Sequence, residues 1–326
     1  MAELTLVEAV NLALAHEMAR DPEVLLLGED IGVNGGVFRA TNGLYARYGR
    51  ARVLDTPLAE SAIAGVAVGM AAMGLKPVAE IQFSGFIYPA IDQIINHASR
   101  LRHRTRGRLT CPMVLRSPCG AGIHAPEHHS ESPEAMFAHM PGLRVVIPST
   151  PARAYGLLLA AIRDPDPVIF LEPTRLYRLF RQEVVDSGEA LPLDACFLSR
   201  VGRDATLVTW GAAHSDVVKA ADLLEQEGVL IEVIDVATLK PFDCETILRS
   251  VEKTGRCVVV HEAPRTAGFG AEIAAEVGER ALYSLLAPIL RVTGYDVVVP
   301  LSRLEQQYIP SVERIADAVR NVMEAS

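Results

Sequence analysis

An α/β chain in two parts is what this sequence predicts. Three observations carry that reading. Short apolar runs with strand character alternate with stretches of helical periodicity in the first half. The alternation lapses between about 174 and 203, then restarts. A length of 326 residues also exceeds what one small core organises comfortably. Strands that alternate with helices imply a parallel sheet covered on both faces. We therefore expect one domain over residues 1–180, a linker over 181–203 and a smaller α/β domain over 204–326.

The elements follow in order. Leu6, Val10, Leu12, Leu14 and Met18 lie at helical spacing, with Thr5 as N-cap and Glu8 three residues later. Val24-Leu25-Leu26-Leu27, ending at Gly28, reads as a buried strand. Further strands are expected at Val78–Ile81, Met113–Arg116, Val145–Ile147 and Val168–Leu171. Helices are expected near 60–73, 88–102, 133–139 and 151–163. After the linker come a strand at 206–209, a helix over 214–227 ended by Gly228, and a strand at 230–236. A helix at 243–252, a strand at 257–260, a helix near 270–282 and a strand near 290–293 complete the set.

Composition narrows the function classes. A net charge of −9 argues against a general nucleic-acid role, which needs clustered Lys and Arg. The one basic cluster, Arg100 to Arg108, reads either as a solvated helix end or as a salt-bridged subunit contact. Mean hydropathy is +0.22, so part of the apolar surplus is expected at subunit contacts. No apolar run has the length of a membrane-spanning helix, and no membrane partner is expected. The start carries no leader signal, so a cytoplasmic location is expected. Five scattered cysteines without a Cys-x-x-Cys fit reduced thiols and no zinc site.

Four places can carry chemistry. Asp55-Thr56-Pro57-Leu58-Ala59-Glu60 leads into a helix, with Pro57 suited to its first turn and Asp55 or Thr56 to its cap. Glu60 there either complements the positive helix end or serves as a working carboxyl. Gly65 and Gly69 follow, and glycines cost helix stability, so we expect another helix to approach closely at a subunit interface. The Gly120–Glu134 segment presents His124, His128 and His129, with Ser132 and Pro133 starting a helix after them. A metal reading of His124 and His128 is weak, because Pro126 breaks the helix that would align them. A loop histidine is otherwise structural, or it binds a substrate carboxylate or moves a proton. Glu29-Asp30 and Gln82 lie just past strand ends, where ligands gather in parallel sheets, and Phe86 reads as core.

Taken together, Leu27–Asp30, Asp55–Gly69, Asp92–Ile94, His129–Ala135, Pro141–Val146, Ala161–Glu172 and Ser250–Arg256 resemble one family along nearly the whole chain. It is the β subunit of the decarboxylating, thiamine-diphosphate-dependent component of 2-oxo acid dehydrogenase complexes. The resemblance implies a pyrimidine-binding domain of the thiamine-diphosphate fold, followed by a transketolase C-terminal-like domain. It also implies a tetramer with two α chains and a lipoyl-bearing acyltransferase core. By that resemblance Glu60 engages the pyrimidine ring, Leu58, Gln82 and Phe86 line it, and His129 faces the substrate and the lipoyl group. Glu29 would join an acidic proton path. Ala161, Ile162 and Asp164 would form a monovalent-cation (K+) site. The Gly-Asp-Gly signature that seats Mg2+ and the diphosphate is absent from these residues, so the α subunit is expected to hold that half. The substrate would be a small 2-oxo acid, with pyruvate and branched-chain acids both open. An acetoin-cleaving or other thiamine-diphosphate enzyme subunit, and a non-catalytic assembly module, are the alternatives.

Overall fold

The computed structural model describes residues 2–325. Two compact units emerge. The first takes the chain up to Cys119 together with Met136–Leu193; the second takes Gly120–Ala135 and Asp194 onward. The histidine-bearing segment thus belongs with the second unit.

In the first unit six strands lie side by side in the order Arg144–Val146, Val168–Pro173, Val114–Cys119, Lys76–Glu80, Val24–Gly28 and Val53–Asp55. Every pairing is parallel. The strands Val24–Gly28, Val114–Cys119 and Val168–Pro173 are buried throughout, as the unbroken apolar run at 24–27 foretold. Register brings Gly28 opposite both Asp55 and Glu80, so three strand ends finish level. Helix Leu6–Arg20 opens with the expected capping box: the Thr5 N–H donates to Glu8 Oε2 at 2.8 Å, and the Thr5 side chain caps in return. Helix Pro151–Arg163 begins at Thr150, whose side chain accepts from the Arg153 N–H.

A buried ion cluster lies inside this sheet. Arg116 donates to Glu80 at 2.8 Å and to both oxygens of Glu172 at 2.6 and 2.9 Å, while the Tyr177 hydroxyl donates to Glu172 at 2.5 Å. Burial pushes the Glu80 carboxyl above its ordinary range, against the pull of Arg116. Removing one partner would leave an uncompensated buried charge, which costs about 3–5 kcal/mol.

In the second unit four parallel strands, Leu290–Gly294, Cys257–Pro264, Ala205–Thr209 and Ile231–Asp235, are joined by an antiparallel edge strand, Phe197–Arg200. Its core gathers Leu207, Val217, Val233 and Val260 with Ile315, Val319 and Val322 of the final helix, Val312–Glu324.

Several expectations are corrected. Residues 88–102 do not form one helix. Two 3-10 turns, Ser84–Phe86 and Tyr88–Ala90, are followed by a π-helical turn, Gln93–Ala98, and a short helix, Leu101–Arg104. Pro89 supplies no N–H there, and the wider turn sets the Gln93 side chain against Gly65. The segment read as linker carries two strands, Gln182–Val184, paired with Ala2–Leu4, and Phe197–Arg200. Short edge strands lack the alternation that would reveal them. The helices Ser302–Tyr308 and Val312–Glu324 were not anticipated. In the basic cluster, Arg102 is bound within the chain to Asp166 at 2.7 Å. Among the described residues no helix is long and apolar enough to cross a membrane.

Candidate active site

The level strand ends of the first unit carry the first group of candidate residues. Glu29 follows Gly28 directly and is 4% exposed. Its Oε1 is buried with no hydrogen-bond partner among the described residues. Burial raises its pKa above the ordinary carboxylate range, and the nearby charges of Glu60 and then Asp30 raise it further. The Glu29 carboxyl, in the turn after the strand, thus lies within the electrostatic reach of Glu60 at the start of the next helix.

Glu60 opens helix Glu60–Ala72, though not as the spacing suggested. The N-cap is Ala59, which makes no side-chain cap, and Pro57 lies outside the helix. Asp55 is occupied elsewhere, accepting from the Gly32 N–H at 2.6 Å. A Cβ on Gly32 would collide with that carboxylate, so a larger residue there would have to displace Asp55. The Thr56 N–H donates to the Gly28 carbonyl at 3.0 Å, which ties the Glu60 approach to the strand that presents Glu29. Thr56 also holds a buried hydroxyl oxygen with no partner among the described residues.

Leu58 is 82% exposed, an apolar side chain standing in solvent beside these acids. Gln82 is half-buried just past Lys76–Glu80, and Phe86 is half-buried on the next turn. Phe86 packs edge-on against Phe83, with ring centroids 6.2 Å apart, and Phe83 packs on Phe38 at 5.5 Å. Phe38 was not singled out in the sequence, because nothing local marks a loop phenylalanine as part of that aromatic chain.

The glycine pair is split by the structure. The space beside Gly65 is taken by Gln93 of the same chain, whereas nothing lies within 4 Å of where a Gly69 Cβ would be. Ala62, Val66, Gly69 and Met73 form an exposed stripe, with Met73 84% exposed.

In the second unit His129 ends a 3-10 turn, Glu127–His129, and is half-buried. Its ring packs on His128 with centroids 4.3 Å apart. Burial and the neighbouring His128 charge lower its pKa, so the neutral imidazole dominates at neutral pH. The helix expected after Ser132 runs Glu134–Ala138. Glu134 is buried, accepts from the Trp210 indole at 3.2 Å, and is pushed by burial toward its neutral form.

At the proposed cation loop, the Asp164 carboxylate is already engaged. Its Oδ2 pairs with Arg144 at 2.8 Å and its Oδ1 accepts from the Asp166 N–H at 2.8 Å. The Ala161 carbonyl accepts the Asp164 N–H only at 3.4 Å, and Ile162 is buried in the same helix. Among the described residues no group of three His, Cys, Asp or Glu side chains is set to hold a metal ion.

Comparison with known proteins divides the chain into two stretches, the first of which includes Gly120–Ala135. Residues 2–179 match the family described as transketolase, pyrimidine binding domain, and residues 195–315 match transketolase, C-terminal domain. The chain is 51% identical over 325 residues to the pyruvate dehydrogenase E1 component subunit beta of Acholeplasma laidlawii, covering 100% of this chain and 99% of that one. It is 48% identical over 324 residues to the protein of the same name in Bacillus subtilis, covering 99% and 100%. The chain belongs to the pyruvate dehydrogenase E1 β-subunit family. A solved structure, a split-gene transketolase described as an inactive beta4 tetramer, shares the fold of this family member. It aligns with a TM-score of 0.81 at 22% identity over 99% of both chains.

Proposed function

We propose that this chain supplies the pyrimidine half of a divided thiamine-diphosphate site and acts, with an α subunit, in oxidative decarboxylation of a 2-oxo acid. The observation that carries the reading is the Glu29–Glu60 pair. A buried carboxyl with an unpartnered oxygen and a raised pKa lies within the field of Glu60, at level parallel-strand ends. Such a pair suits a ring with both donor and acceptor nitrogens. When bound, the cofactor would supply a carbanion centre and an electron sink for decarboxylation of a 2-oxo acid.

This chain's own residues have narrower roles. Glu60 holds a proton at the pyrimidine nitrogen, and Glu29 exchanges protons with it. Leu58, Gln82 and Phe86 shelter the ring from water. His129, neutral at working pH, hydrogen-bonds the substrate carboxylate or the acyl group and moves a proton during transfer to a lipoyl group. The diphosphate and its Mg2+ fall to the α subunit. The exposed Leu58, Val66 and Met73 fit a chain that buries this face against others in a tetramer of two α and two β chains. A lipoyl-bearing acyltransferase core is the acyl acceptor. Because the Asp164 carboxylate is committed, backbone carbonyls of Ala161, Ile162 and Asp164 would be the donors for a K+ ion. The names of the relatives favour pyruvate as the substrate.

The test is calorimetric titration of thiamine diphosphate into the chain alone and into a co-expressed αβ complex, followed by a scan of 2-oxo acids. Binding only by the complex, with pyruvate turned over fastest, supports the reading. Tight binding by the chain alone would sink the divided site. A branched-chain preference would leave the site and reassign the substrate.

A further inference from the structure

We propose that Glu305 is a positioning residue that clamps the histidine-bearing loop Gly120–Glu131 by filling an anion nest formed by the loop's own backbone. Glu305 lies on helix Ser302–Tyr308 and is 1% exposed. Its Oε1 accepts from the Gly122 N–H at 2.7 Å, and its Oε2 accepts from the His124 N–H at 3.1 Å. The His124 Nδ1 lies 2.7 Å from the same Oε2. A carboxylate this deeply buried persists only where several donors replace water, and here three converge on it. The loop's conformation is what makes them converge. Gly120, Gly122 and His124 all have positive φ, at 81°, 102° and 60°. For His124, a non-glycine residue, that is a strained conformation which surrounding contacts must hold in place. Alternating backbone hands of this kind turn successive N–H groups toward one concavity that binds anions. In this chain the anion is a side chain.

A second carboxylate reinforces the base of the loop. Glu262 accepts from the Ala121 N–H, and a Cβ on Gly120 would come within 2.9 Å of Glu262 Oε1. Ala121 is buried with Val299, Tyr308 and Ile309. The Gly120 N–H donates to the Glu131 carbonyl at 2.9 Å and closes the loop. The turn Glu127–His129 therefore hangs from a base fixed at both ends. Glu305 touches no reacting atom in this scheme; it sets where His129 stands. The inference rests on the proposal that His129 faces the substrate.

Two measurements test it, both on the co-expressed αβ complex. In the unaltered complex, without cofactor or substrate, the Gly122 and His124 amides should exchange hydrogen at least about tenfold more slowly than those of Ala125 and Glu127 in the same loop. Equal exchange overturns the clamp, and no variant is needed to learn it. Glu305→Gln replaces an acceptor with a donor that faces donors. It should lower kcat for 2-oxo acid decarboxylation roughly ten- to hundredfold, with the affinity for thiamine diphosphate unchanged and exchange at Gly122 and His124 accelerated. Gln306→Ala, exposed on the same helix, is the control and should behave as wild type. A folded Glu305→Gln complex with wild-type kcat overturns the clamp. If His129→Ala is impaired while Glu305→Gln is not, the clamp fails and the proposed function stands. If the unaltered complex turns over no 2-oxo acid, the proposed function fails, and the exchange rates still decide the clamp.

Discussion

The Trp210 indole stacks on the His261 imidazole, with ring centroids 5.0 Å apart and planes 13° apart. His261 is fully buried, and added Cβ atoms at Gly268 and Gly270 would each come within 2.7 Å of its ring. Two glycines are thus the condition for a histidine in this core. Burial, helped by the charge of Arg291, pulls its pKa down to about 4.

That depression makes His261 an acid-lability element. Its folded pKa lies below the unfolded value of 6.5, so the stability it represents is complete above pH 6.5 and is lost as pH falls toward about 4. His261→Gln should remove that component, which integrates to about 3 kcal/mol. Chemical denaturation at pH 7.5 and pH 4.5 checks this: the wild type should lose more stability between the two than the variant.

Glu29 has the opposite sign. Its folded pKa lies above the unfolded value, so wild-type stability falls as pH rises through that range. Glu29→Gln should therefore raise the melting temperature of the purified chain at pH 8, by about 1–2 °C if the gain is about 1 kcal/mol. At pH 4 the difference should vanish. Activity of the αβ complex should fall in the same variant, because proton exchange with Glu60 is lost.

Glu60→Gln keeps the shape and removes the acid. The αβ complex should assemble as wild type on size-exclusion chromatography and lose at least about a hundredfold in kcat. Retained activity would remove Glu60 from the proposed chemistry.

Gly69 separates the fold from the assembly. With open space around it, Gly69→Ala should stabilise the purified chain by about 0.5–1 kcal/mol, the usual gain in a helix interior. Gly69→Leu should fold equally well yet weaken association with the α subunit, as read by sedimentation. Unchanged association would show that this stripe is not covered by another helix.

For the cation loop, K+ should raise the melting temperature of the αβ complex and Na+ should raise it less. No response to either ion would dismiss the carbonyl site at Ala161, Ile162 and Asp164.

The sequence by itself determined a good deal. Continuous apolar runs such as Val24–Leu27 named the buried strands, because a parallel sheet covered on both faces leaves no polar alternation. Thr5 with Glu8 named a helix start, since caps are satisfied within a few residues. The string around Glu60 pointed to its family. What only the tertiary structure decided are relationships between residues far apart in the chain. Gly28, Asp55 and Glu80 end level through strand register, and that is what puts Glu29 within the field of Glu60. Gly65 was legible as a close approach but not as a seat for Gln93 of the same chain. Glu305, 181 residues from His124, carries no local mark of its role. Its helix is short, and its charge looks like any exposed acid until the fold buries it. Local signals record how a segment satisfies its own backbone. Burial, register and convergent donors are properties of segments brought together, and they exist only once the chain has folded.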